Sequence, residues 1–109
     1  MSQKVTAGRD NLGELVPQFA ALNDDVLLGE VWAREAELSP RDRSLATVSA
    51  LIGAGILDSS FKAYLQKELD NGVGCSELVD VITQLGFYAG WPKAWAAFRL
   101  LKEILAEAE

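Results

Sequence analysis

The sequence predicts an all-α domain, a compact bundle of about six helices. Three observations carry that expectation. Apolar residues recur at three- and four-residue spacing along most of the chain. Helix start and stop signals punctuate these stretches at short intervals. Alternating apolar and polar runs, the mark of half-buried strands, are nearly absent. At 109 residues, half of them hydrophobic, the chain has the size of one domain and the means to build a core. Residues 1–10 read as a flexible N-terminal segment and 11–109 as a single domain.

The elements follow in order. Asn11 and Glu14 fit a capping pattern ahead of Leu12, Leu15, Val16 and Phe19, and Pro17 keeps this first helix short. Asn23, Asp24 and Asp25 open a second helix, because acidic side chains favour the positive end of the helix dipole. Its Val26, Leu27, Leu28, Val31 and Trp32 cover most of the circumference, which predicts burial on more than one side. Ser39-Pro40-Arg41-Asp42 starts a third helix carrying Leu45, Val48, Leu51 and Ile52, ended by Gly53 and Gly55. Asp58 or Ser59 caps a fourth, with Phe61, Leu65 and Leu69 on one stripe, stopped at Asn71-Gly72. Gly74 to Glu77 starts a fifth, Glu77 being placed to bond back to the first turn. Its core face is Leu78, Ile82, Leu85 and Ala89. Gly90-Trp91-Pro92 breaks the chain and restarts it in a sixth helix, with Ala94, Trp95, Phe98, Leu101 and Leu105 inward.

Composition excludes several function classes. The net charge of −6 disfavours nucleic acid. The longest uncharged stretch, Ser44 to Leu57, is shorter than the roughly 20 residues a membrane-spanning helix needs. One cysteine forms no internal disulfide, and Met1 to Asp10 has no apolar signal core, so a reducing cytoplasm is expected. With no histidine, a single cysteine and no clustered carboxylates, neither a metal nor another cofactor is expected. Cys75, at an expected helix start, reads as incidental.

The most distinctive stretch is Ile82 to Pro92. Gln84 and Tyr88 stand one helical turn apart on the same side, with Trp91 just beyond. Gly86 and Gly90 clear a neighbouring face for close helix approach, and tight packing is the plain alternative to a ligand site. The apolar second helix and the glycine face together predict self-association.

Four segments resemble the carboxymuconolactone decarboxylase family: GEVW at Gly29 to Trp32, LSPRDRSLATVSALI at Leu38 to Ile52, NGV at Asn71 to Val73 and FYAGWPKAW at Phe87 to Trp95. The resemblance covers the chain from about Leu12 onward. It implies a small all-α protein assembled as a homo-oligomer, a trimer or hexamer. The implied reaction removes carbon dioxide from a carboxylated lactone in aromatic catabolism. A sister branch resembles the partner protein of alkyl hydroperoxide reductase. It reduces peroxides with a Cys-x-x-Cys pair and a histidine four residues after the second cysteine. Those positions fall on Leu57, Ser60 and Tyr64, so a thiol-dependent peroxidase mechanism has no support. Decarboxylase-like members carry histidine where this chain has Tyr64 and Gln84.

A decarboxylase must hold a carboxylate and reprotonate the carbon it leaves behind. The resemblance therefore points to Glu30, Tyr64 and Tyr88 as catalytic proton donors. Trp32, Arg43, Gln84 and Trp91 are the substrate-binding candidates, Arg43 through a bidentate carboxylate contact. Each has a structural rival: ion pairs for Arg41 and Arg43, satisfied core hydroxyls for the tyrosines, packing for the tryptophans. A non-catalytic oligomeric binder of small molecules is the alternative function.

Overall fold

Among the residues that the computed structural model describes, 4–108, every regular element is helical. There are six α-helices and one π-helical segment, and no strand among the described residues. They are α1 (Ala7–Leu12), α2 (Pro17–Ala21), the π-helical Leu22–Val31, α3 (Pro40–Ala54), α4 (Ser59–Asp70), α5 (Cys75–Tyr88) and α6 (Trp91–Glu107). The chain divides into two units, Met1–Pro40 and Arg41–Glu109. The expected boundary at residue 10 coincides with no element boundary, because α1 runs across it.

The first unit departs from the expected local signals. Asn11 caps nothing: it lies inside α1, where its Nδ2 donates to the Ala7 carbonyl at 2.7 Å. The N-terminus of α1 is capped from elsewhere in the unit. Asp24 is buried, and its carboxylate accepts from the Gly8 and Arg9 backbone amides at 2.7 and 3.0 Å. Those are two of the amides that a helix start leaves without an intrahelical acceptor. No helix opens at Asn23 either. α2 runs directly into the π-helical segment, which ends with the Trp32 amide donating to the Leu27 carbonyl at 2.9 Å. Wide π turns are uncommon and tend to occur at functional positions.

The second unit follows the sequence signals closely. Asp58 is the cap of α4, its carboxylate accepting from the amides of Ser60 at 3.0 Å and Phe61 at 3.3 Å. α3 and α4 both stop at a residue in the left-handed region, Gly55 (φ 77°) and Gly72 (φ 90°). Behind each, paired backbone bonds close the end: Ile56 to Leu51 with Gly55 to Ile52, and Val73 to Glu68 with Gly72 to Leu69. The core of this unit is Val48, Ile52, Phe61, Leu65, Leu78, Ile82, Ala94, Ala97, Leu101 and Ile104, joined by Val73.

Two expected contacts differ. Glu77 does not bond back to its own first turn; it pairs with Arg41 across to α3. On α6 the buried stripe is Ala94, Ala97, Leu101 and Ile104, whereas Trp95 and Leu105 face outward. Small residues let α6 lie close on α5. A Cβ built on buried Gly86 would stand 3.0 Å from the Trp91 ring and 3.3 Å from Ala94 Cβ. Bulky Trp95 is thereby turned out of the seam.

Candidate functional site

The break between α5 and α6 builds an apolar concave feature of the second unit. Gly90 reverses the chain and Trp91 opens α6, its ring laid back over Gly86 and packed edge-on against Phe87, centroids 5.7 Å apart. Thr83, Trp91, Ala94, Trp95 and Phe98 then line an almost wholly apolar cleft of about 240 Å³. Such walls accept a flat apolar group; the Thr83 hydroxyl donates to the Val79 carbonyl at 2.8 Å, so only its oxygen is left to accept from a ligand.

Of the expected site residues in this unit, Trp91 lines the cleft and the other four do not. Gln84 and Tyr88 share the outward side of α5, as their spacing predicts, and both are exposed, Tyr88 at 81%. Tyr64 is half-buried against the core, with the Lys67 ammonium 5.9 Å from its ring centroid. Arg43 is half-buried in the first turns of α3, and its carbonyl accepts from Thr47 Oγ1 at 2.9 Å. Arg41, its rival for a carboxylate, is engaged by Asp42 at 3.0 Å and by Glu77. Hydrogen bonds that its guanidinium donates to Glu77 and Asp42 raise the Arg41 pKa further, so its charge is permanent.

The first unit holds the remaining two. Trp32 is half-buried and lines a cavity of about 470 Å³ that also meets Asp24, Asp25 and Leu28. Glu30 is exposed and is not among that cavity's walls. The buried acid of this unit is Asp24, which sequence reasoning treated as a helix opener. Burial alone would raise its pKa, but donation from the Arg9 amide, the Asn23 side chain and the Gly8 amide outweighs that and holds it below the usual range. Asp25 is likewise held low, chiefly by its hydrogen bond from Arg9 at 2.7 Å.

Two further polar residues escaped the sequence reading. Glu68 and Ser44 are fully buried in the second unit. The available signal was positional: Glu68 follows Phe61 by seven residues and Leu65 by three, which puts a carboxyl on the apolar stripe of α4. Cys75 is exposed as the first residue of α5. Among the described residues no three His, Cys, Asp or Glu gather as a metal site, and no helix is long and apolar enough to cross a membrane.

Comparison with known proteins supplies the wider context. The model of the carboxymuconolactone decarboxylase family matches residues 17–103. The chain is 30% identical over 103 residues to a 4-carboxymuconolactone decarboxylase of Acinetobacter baylyi, covering 94% of this chain and 75% of that protein.

Proposed function

The chain belongs to the carboxymuconolactone decarboxylase family, and on that premise we propose that it acts on a small carboxylated or lactone substrate as a cytoplasmic, homo-oligomeric decarboxylase-like protein. The observation that carries this reading is the family match across residues 17–103. In such a reaction the bond between the carboxylate carbon and the ring carbon breaks. Its electron pair moves toward a neighbouring carbonyl, and a proton must then reach the ring carbon.

The groups of the second unit suit those steps. The Arg43 guanidinium offers parallel N–H donors to the departing carboxylate. Tyr64 and Tyr88 offer hydroxyl protons, and the Gln84 amide donates to a carbonyl oxygen without giving up a proton. Trp91 supplies an aromatic wall. The first unit, taken by itself, offers Trp32 as the wall of its own cavity and Glu30 as an exposed acid outside it. No histidine is present to act as a base near neutrality. Turnover therefore falls to groups that hold substrate and donate protons.

Carbon dioxide release from 4-carboxymuconolactone and related lactones tests the proposal, with parent protein and Arg43→Gln side by side. Turnover in the parent that drops at least tenfold in the variant supports it. Absence of both turnover and ligand-induced thermal shift in the parent overturns it.

The absence of histidine from the chain favours a second reading, a non-catalytic binder, on what the resemblance implies about the family. The two positions at which decarboxylase-like relatives carry histidine hold Tyr64 and Gln84 here. Activity that arises only in the Tyr64→His/Gln84→His double variant would establish this reading in place of the first.

A further inference from the structure

The apolar cleft at the α5–α6 break has a charged neighbour that the decarboxylase reading does not use. Trp91, Ala94, Trp95 and Phe98 recur at three- and four-residue spacing on α6, so they share one stripe, and Thr83 of α5 completes the wall. Pro92, Trp95, Ala96 and Arg99 form the adjoining stripe and line an open hollow of about 420 Å³. Trp95 belongs to both. One indole is therefore the shared wall of an apolar cleft and of a hollow that carries a cation.

Arg99 is kept beside that wall. Its guanidinium carbon stands 5.8 Å from the Trp95 ring centroid, within the range at which an aromatic face attracts a cation. The chain has 16 acidic residues against 10 basic ones, and several other cations of this unit are engaged. Arg41 pairs with Asp42 and Glu77, and Lys62 with Glu103 and Glu107. Lys93 donates to the Gly53 carbonyl at 2.9 Å. Among the described residues no carboxylate pairs with Arg99, whose contact is the Trp95 ring. Glu103, one turn further along α6, is held by Lys62 at 3.3 Å.

The two compartments ask different things of a ligand. No charged residue lines the cleft, so a charge buried in it would lose water without gaining a partner. An apolar cavity of about 150 Å³ accommodates benzene, so about 240 Å³ has room for one or two fused rings. The hollow offers the planar fork of a guanidinium, which matches a carboxylate. One fork suits one carboxylate, and the excess of negative charge on the chain disfavours a polyanion.

We propose that the Trp91–Trp95–Phe98 cleft and Arg99 together form a binding site for a planar apolar ring bearing one carboxylate. The ring sits in the cleft, and the carboxylate passes the Trp95 edge to the Arg99 guanidinium. The site does not rest on turnover. Arg43, the carboxylate contact of the decarboxylase reading, lies on α3 and lines neither compartment. Failure of either reading therefore leaves the other standing.

Calorimetric titration of the full chain with β-naphthoate and its uncharged isostere β-naphthamide, at low and high salt, tests this. The parent should bind naphthoate about fivefold more tightly, and salt should shrink that preference by screening an exposed charge. Arg99→Gln should abolish the preference and leave naphthamide binding as it was. Trp95→Ala should weaken both ligands by about tenfold. Equal affinities in the parent overturn the proposal, as does a preference for naphthoate that survives Arg99→Gln. Absence of binding to the parent overturns it too, and gives the face to a second copy of the chain if the sedimenting species exceeds one chain.

Discussion

Replacing Gly90 by alanine isolates the backbone device that sets Trp91 in place. Gly90 has φ 118° and ψ 137°, a region open in practice to glycine alone. A Cβ there would meet nothing within 4 Å, so crowding contributes nothing and the whole cost is torsional. Holding a residue with a side chain in such a region costs about 1–3 kcal/mol. The variant regains about 0.4–1 kcal/mol because its unfolded chain has less freedom to lose. The net expectation is destabilisation by about 1–2 kcal/mol, or roughly 5–15 °C in melting temperature for a domain of this size. Gly53 is the matched control. It lies within α3, with no positive φ and nothing within 4 Å of a built Cβ. Gly53→Ala should therefore stabilise by about 0.5–1 kcal/mol. Urea unfolding of the parent and both variants reads the difference. Equal shifts for the two substitutions, or a Gly90→Ala variant as stable as the parent, would refute the assignment of strain to this turn.

Ile82 is fully buried in the centre of α5, so Ile82→Ala should cost about 2–5 kcal/mol in the same urea assay. An effect below about 1 kcal/mol would place it outside the core. Large apolar side chains are exposed in both units, including Phe19 at 61%, Phe87 at 76% and Trp95 at 57%, and patches of this kind on small domains seek partners. Sedimentation should therefore show a species several times 11.8 kDa, and a Trp95→Arg variant should shift it toward the single chain. Only an 11.8 kDa species in the parent would contradict self-association.

The second unit was legible because its signals are local. Asp58, Gly55, Gly72 and Pro92 act within one turn of where they stand, and the structure uses each as its residue type predicts. The first unit was not legible, because its decisive contact spans sixteen residues: Asp24 reaches back to the Gly8 amide. No short window could find it, and the Asn11–Glu14 pattern offered a convincing local substitute. The rotation of α6 was hidden for another reason. Trp95 carries more apolar weight than Ala97, so periodicity favours it for the core, whereas the α5–α6 seam closes on small side chains such as Ala94, whose Cβ would stand 3.3 Å from a Cβ on Gly86. Of the candidate site, the Trp91 cleft could be read from the Gly90 break. Glu68 was missed although its spacing from Phe61 and Leu65 puts it on the apolar stripe of α4, because a charged residue on a helix usually faces solvent.

Asp24 and Glu68 show how two buried carboxyls acquire opposite pH responses. Both lose water, and that alone would raise both pKa values. Asp24 regains donors from the Gly8 and Arg9 amides and from Asn23, at 2.7–3.0 Å, and its value falls below the ordinary 3.8. Glu68 regains no such set, and its value rises above the ordinary 4.5. A lowered folded-state value gives stability that is present above the unfolded-state value and lost as pH falls through the folded one. Acid should therefore loosen the first unit at the start of α1. Amide hydrogen exchange, corrected for its intrinsic pH dependence, should show protection at Gly8 and Arg9 declining as the solution is acidified below the ordinary aspartate value. In Asp24→Asn, which cannot titrate, that decline should be absent. Protection at the two amides that ignores acid in the parent, or that declines identically in the variant, would mean that charge on Asp24 does not hold α1.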